Sequence, residues 1–143
     1  MFPPQSGSPG ETALPPVVVI HGLAQAEAAL AEGLPITLLS APGAGAYAGA
    51  LWWRELVRAA RAAHPATPCT DILDCADAPG RAMAAIRAGQ AMLVLDPACP
   101  AFPRVAALAR TLPARPPALD LAERGAARRL RAWLLDDSTS ALR

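Results

Sequence analysis

Residues 71–96, DILDCADAPGRAMAAIRAGQAMLVLD, decide the fold. Two runs rich in Ile, Leu and Val, DILDC (71–75) and AMLVLD (91–96), enclose the alanine-rich stretch PGRAMAAIRAG (79–89). Apolar character that runs on without alternating is what a strand covered on both faces requires. Pro79 suits the first turn of a helix, where no amide donor is missed, and Gly89 suits the left-handed residue that ends one. The unit is therefore strand, helix, strand. Working outward, the same unit recurs upstream as VVVIH (17–21), GLAQAEAALAEG (22–33), ITLLS (36–40) and AGALWWRELVRAARAAH (48–64), with Gly33 closing the first helix. Downstream, PAFPRVAALARTL (100–112) predicts a fourth crossover helix with Pro103 in its first turn. Alternation of this kind builds a parallel sheet with right-handed crossovers.

The expected fold is α/β: a single three-layer domain over residues 16–135 on a four-stranded parallel sheet, flavodoxin-like in general shape. A fifth strand is a candidate at Leu119-Asp120-Leu121, although prolines at 113, 116 and 117 weigh against it. The alternative architecture is a (βα)4 half-barrel, which would expose the inner sheet face and demand a dimer. Residues 1–15, with four prolines, read as a flexible tail, and 136–143 as a frayed one.

Composition narrows the chemistry. At 143 residues the chain suits one domain. Thirteen arginines meet twelve acids, so a net charge of +1 gives no bulk pull toward nucleic acid. Thirty-five alanines contrast with no lysine and no asparagine. Without lysine there is no Schiff-base enzyme and no Walker A loop; without asparagine there is no Cys-His-Asn set. The N-terminus lacks the basic and apolar regions of a secretory signal, and no apolar run is long enough to span a bilayer. Cys69, Cys75 and Cys99 form an odd set without a CxxC pair, which suits a reducing cytoplasm.

Two helices carry defined faces. In 48–64, Trp53, Leu56, Val57 and Ala60 form the apolar side and Arg54, Arg58 and Arg61 the other. Trp52 and Trp53 point about 100° apart, so one belongs in the core and the other over a pocket or interface. A last helix over about 119–135 places Arg124, Arg128 and Arg131 opposite an apolar stripe, with Asp120 and Arg124 spaced as an i,i+4 pair.

Ligands of parallel sheets collect where strand C-terminal ends meet helix N-termini. The residues there are His21-Gly22, Ser40-Ala41-Pro42-Gly43, Asp74-Cys75-Ala76-Asp77 and Asp96-Pro97. Ser and Asp at such places also cap the following helix, so each has a structural reading beside the functional one. Gly43-Ala44-Gly45-Ala46-Tyr47-Ala48 satisfies G-x-G-x-x-A, the pattern that lets a backbone approach a phosphate. It follows the second strand, and Asp74 stands too far on to be the usual ribose partner. A phosphate-holding loop and a plain tight turn both fit it. His21, Ser40 and Asp74 or Asp96 supply the residue types of a hydrolase triad, but no G-x-S-x-G elbow is present. His21, Asp74, Cys75 and Asp77 lack any diagnostic metal spacing, and no metal site is expected. His64, before Pro65, reads as a helix C-terminal residue.

Cys75-Ala76-Asp77-Ala78-Pro79-Gly80-Arg81 spells C-x5-R between a strand and a helix. It resembles the active loops of tyrosine phosphatases and of rhodanese-like domains, and residues 72–96 follow the rhodanese order of strand, loop, alanine-rich helix, glycine and strand. The resemblance implies Cys75 as nucleophile and Arg81 as oxyanion clamp. Asp74 stands where the phosphatases have His, and Ala82 where they have Ser or Thr. Acids beside Cys75 raise a thiol pKa, against the need of a nucleophile.

The functional expectation is a small polar or anionic, phosphate-type ligand at the sheet's C-terminal rim, with Ser40, Gly43, Gly45, Tyr47 and Asp77 as binding residues. The alternatives are an enzyme using Cys75 and Arg81, or His21 with Asp74 and Asp96, and a ligand-free assembly module. The cofactor is left unknown; the expected partners are a small molecule and a second copy of the chain, with neither nucleic acid nor membrane.

Overall fold

The computed structural model describes residues 13–136. Its elements are β1 (Val17–Val19), α1 (Leu23–Leu30), β2 (Ile36–Leu39), α2 (Ala44–Tyr47), α3 (Ala50–Ala63), β3 (Cys69–Asp74), α4 (Pro79–Arg87), β4 (Met92–Val94), α5 (Phe102–Ala106), β5 (Arg110–Leu112), β6 (Leu119–Asp120) and α6 (Ala126–Leu134). The sheet has six strands, ordered β5-β4-β3-β2-β1-β6, and every pairing is parallel. The fold is thus α/β with helices flanking an all-parallel sheet. It has six strands where the sequence predicts four or five.

Both additional strands are short and are stabilised by their neighbours. β6 is the candidate at 119–121, in register with Val18 and Val19. β5 corrects the sequence reading more sharply. The helix expected over 100–112 ends at Ala106, and Arg110–Leu112 pairs with Met92–Val94 instead. Alanine makes 100–112 look helical throughout, yet an unpaired β4 edge offers Arg110 to Leu112 a ladder of hydrogen bonds that local propensity does not register. The last helix likewise starts at 126, and Asp120 lies in β6, so the expected Asp120–Arg124 pair does not form.

Consecutive strands wound the same way place their crossovers on one side. Accordingly, the buried residues of α1, α3, α4, α5 and α6 join Val18, Ile20, Leu38, Leu73 and Leu93 in one core. The alternate residues of the strands, Val17, Val19, Leu39, Ile72, Met92 and Val94, form a second core with Leu14, flanked by Leu112 and Ala118. Among the described residues, this face is covered by extended chain. Leu14, within the segment expected to be a tail, is buried there. The remainder of both expected tails, 1–12 and 137–143, lies outside the described residues.

The extended cover has a geometric origin. β5 and β6 occupy opposite edges, yet only residues 113–118 join them. Crossing five inter-strand spacings of about 4.8 Å takes roughly 24 Å, and seven steps of about 3.3 Å supply roughly 23 Å. The chain bends at Pro113 and Ala114 as it leaves β5 and must then run extended, which Pro116 and Pro117 favour. Midway, Arg115 Nη1 donates to Ser40 O (3.1 Å) and to Asp74 Oδ2 (2.6 Å), at the ends of the two central strands.

α3 packs as its sequence demands, with Trp53, Leu56, Val57 and Ala60 buried. Its arginine face is partly turned inward. Arg54 and Arg61 reach inward to Asp71 of β3.

Candidate functional site

The C-terminal rim gathers the ends of β1, β2, β3, β4 and β6. Three strand ends use the same local device. Asp74 Oδ1 accepts from the Ala76 amide (2.8 Å), Asp96 Oδ1 from Ala98 (2.9 Å) and Asp120 Oδ1 from Ala122 (2.9 Å). Each aspartate folds the chain over itself as it leaves the sheet, the turn-forming role of short acidic side chains.

What remains of each carboxylate differs. Asp74 is buried and spends its second oxygen on Arg115. Its own amide donates to Ser40 Oγ (2.9 Å), and Ser40 Oγ donates to Ala41 O (3.2 Å), so Ser40 is buried and fully engaged. Asp120 Oδ1 also accepts from His21 Nε2 at 2.7 Å, across the β1–β6 pair. Burial pulls the Asp120 carboxyl up, but the Ala122 amide, His21 and the charge of Arg115 outweigh it and hold the group below the usual carboxylate range. His21 is thus oriented by Asp120, not by Asp74 or Asp96. Asp96 and Asp77 are exposed and share a pocket of about 430 Å³ with Ala76, Val94, Pro97 and Pro113. Beside them, burial first and then these two acids push the Cys99 thiol up.

The loop after β2 is a tight turn packed on β3. Gly43 is left-handed (φ 71°), and a Cβ on Gly45 would stand 2.9 Å from both Asp74 O and Cys75 Sγ. The close approach that glycine permits here is to the protein's own strand. The amides of Ala44, Ala46 and Tyr47 all donate inside the turn, to Ala41 O, Gly43 O and Gly43 O. Tyr47 itself points largely to solvent, 72% exposed.

Cys75 lies wholly buried beneath this turn. Burial, reinforced by Asp74, pushes its thiol up to about 11. At neutral pH it is a protonated thiol, not a nucleophile. Arg81 is exposed on α4, and no hydrogen bond or ion pair joins it to Cys75.

The third place on the rim lies at the end of β1. His21, Gly22, Leu23, Trp52, Glu55, Leu56 and Ala59 line a pocket of about 330 Å³. Trp53 takes the core position and leaves Trp52 over this pocket, with the two rings 5.9 Å apart. Gly22, as N-cap of α1, has no side chain to satisfy the first-turn amides. Gln25 Oε1 accepts from the His21 amide (2.8 Å), fixing the backbone at the mouth.

Of the residues singled out by sequence, Ser40, Asp74, Cys75, Gly43 and Gly45 meet in one packed turn; Asp77 and Asp96 share a second place; His21 with Trp52 makes a third. As site residues, Asp120 and Arg115 escaped sequence reading. A signal for Asp120 existed: Leu73-Asp74, Leu95-Asp96 and Leu119-Asp120 end three strands with the same dipeptide. No model of a known protein family matches this chain, and no curated protein matches it either. Among the described residues no helix is long and apolar enough to cross a membrane, and no three His, Cys, Asp or Glu side chains group as metal ligands would.

Proposed function

We propose that this protein binds a small polar ligand at the C-terminal rim of its sheet, in the pocket at the end of β1. The observation that carries the reading is the meeting of His21 and Trp52, from different elements, on one concave surface. An indole wall with Leu56 and Ala59 offers apolar contact. The imidazole, the Glu55 carboxylate and the uncapped amides of α1 offer a few polar contacts, the usual make-up of a small-molecule site. Asp120 fixes the imidazole before any ligand arrives, which lowers the ordering cost of binding. The turn at Gly43–Tyr47 supports a phosphate ligand less well, because the amides of Ala44, Ala46 and Tyr47 are spent internally. The thiol enzyme has less support still, since Cys75 is buried and protonated.

A thermal-shift screen of nucleotides, sugar phosphates and divalent metals, followed by Trp52 fluorescence titration of any hit, tests this. Loss of the imidazole in His21→Ala, or of the ring in Trp52→Ala, is expected to weaken binding about tenfold or more. A hit unaffected by both would overturn the site. A second reading, self-association, is favoured by Leu51 (74% exposed) and Tyr47 beside the same rim. A tight dimer by light scattering that Leu51→Glu dissolves, with no ligand found, would support it.

A further inference from the structure

The other end of the sheet holds a charge imbalance. Asp71, buried on β3, accepts at Oδ2 from Trp53 Nε1, Arg54 Nη1 and Gln90 Nε2, each at 2.9 Å. Gln90 Oε1 takes Arg54 Nη1 as well (2.8 Å), and Gln90 Nε2 donates to Met92 O (2.8 Å). The remaining oxygen, Oδ1, receives Arg61 Nη2 at a long 3.4 Å. One carboxylate therefore faces two guanidinium groups, and among the described residues no other acid pairs with either. A full positive charge is left over.

That surplus belongs to Arg61. Arg54 has the shorter bonds and the deeper position, whereas Arg61 is 43% exposed by side chain. Arg61 Nη2 also donates to Cys69 O (2.6 Å), which fixes the guanidinium plane. Both of its bonds to protein oxygen run through Nη2, and the Cys69 side chain is its other hydrogen-bonding neighbour, so the five N–H donors of the guanidinium exceed its three contacts. The neighbouring Cys69 thiol supplies no counter-charge, because burial raises its pKa by more than the hydrogen bond and charge of Arg61 lower it. Arg61 opens on a pocket of about 440 Å³ shared with Arg58, His64 and Thr67. Arg58 is tied to Glu55, but both ends of that pair are more than two-thirds exposed and open to competition from a better anion.

We propose that this pocket, at the N-terminal end of the sheet and opposite the rim site, binds a phosphate-type oxyanion on the spare donors and uncompensated charge of Arg61, with Arg58 and His64 as the second and third contacts. A planar guanidinium fixed on one side by the protein presents its spare donors to anion oxygens, the geometry that favours arginine at phosphates. The pocket is roomier than a bare anion needs, so free phosphate and a phosphate monoester both fit the chemistry.

The test follows the Arg61 Nε–H and His64 ring resonances by NMR while inorganic phosphate is added, with sodium chloride at equal ionic strength as the control. Saturating shifts with phosphate but not chloride are expected. R58Q/H64Q is expected to weaken binding about tenfold. It leaves Asp71 untouched, and so remains informative where Arg61→Gln also loosens the fold. A parallel titration with glycerol phosphate separates the sources: tighter binding assigns an ester, equal binding free phosphate. Shifts that match chloride, or binding indifferent to R58Q/H64Q, would overturn the proposal.

Discussion

Single residues show how the same side chain changes meaning with its surroundings. Cys75 stands in a C-x5-R frame, yet its sulfur lies under Gly45 with no exposed surface. A thiol near 11 is almost wholly protonated at pH 7, so alkylation by iodoacetamide is expected to proceed at Cys99 and Cys69 well before Cys75. Mass spectrometry of the labelled peptides checks the order, and rapid labelling of Cys75 in the folded protein would return the nucleophile to consideration. Glycine is read the same way. Gly45 follows a phosphate-loop pattern, but the space it leaves is filled by Asp74 O and Cys75 Sγ. A pattern records which backbone approaches are allowed, and the fold decides what approaches.

At the scale of elements, legibility followed the source of stabilisation. β1 to β4 were readable because their apolar runs must be buried on both faces wherever they go. β5 was not, since Arg110, Thr111 and Leu112 owe their conformation to the ladder with β4. The segment 113–118 was legible as proline-rich but not as a cover for the second core. Its anchor, Arg115, pairs with a buried Asp74. Removing the guanidinium in Arg115→Met leaves that carboxylate without its charged partner, and a loss of about 2–4 kcal/mol is expected by urea unfolding. Asp74→Asn in the same chain should recover part of it. If Arg115→Met alone melts like the parent, the anchor contributes nothing.

Across the whole molecule, the sequence located the edge where polar strand ends gather but not which of them meet. His21 was legible; its partner was not, because adjacency of β6 to β1 is a fact of topology, ninety-nine residues apart in the chain. That pair ties the last strand to the first. The depressed Asp120 pKa gives the sign of its pH dependence. Its stabilisation is complete above the ordinary carboxylate pKa of the unfolded chain and is lost as pH falls through the lower, folded value. Thermal melts through the acid range are expected to show a shallower decline in Asp120→Asn than in the parent, and identical slopes would assign the acid sensitivity elsewhere. Both side chains are about one-third exposed, so the effect is small, at most about 1 kcal/mol.

Surface connections ordinarily tolerate a lost residue at little cost. The link from Leu112 to Leu119 has little to spare, because its seven steps about match the width of the sheet they cross. It behaves as a gauge of fixed length: one deletion there would lift Leu119 off Val18 and carry α6 with it, while an insertion would only slacken the span. Chains sharing this architecture should therefore accept additions to this single segment more readily than losses.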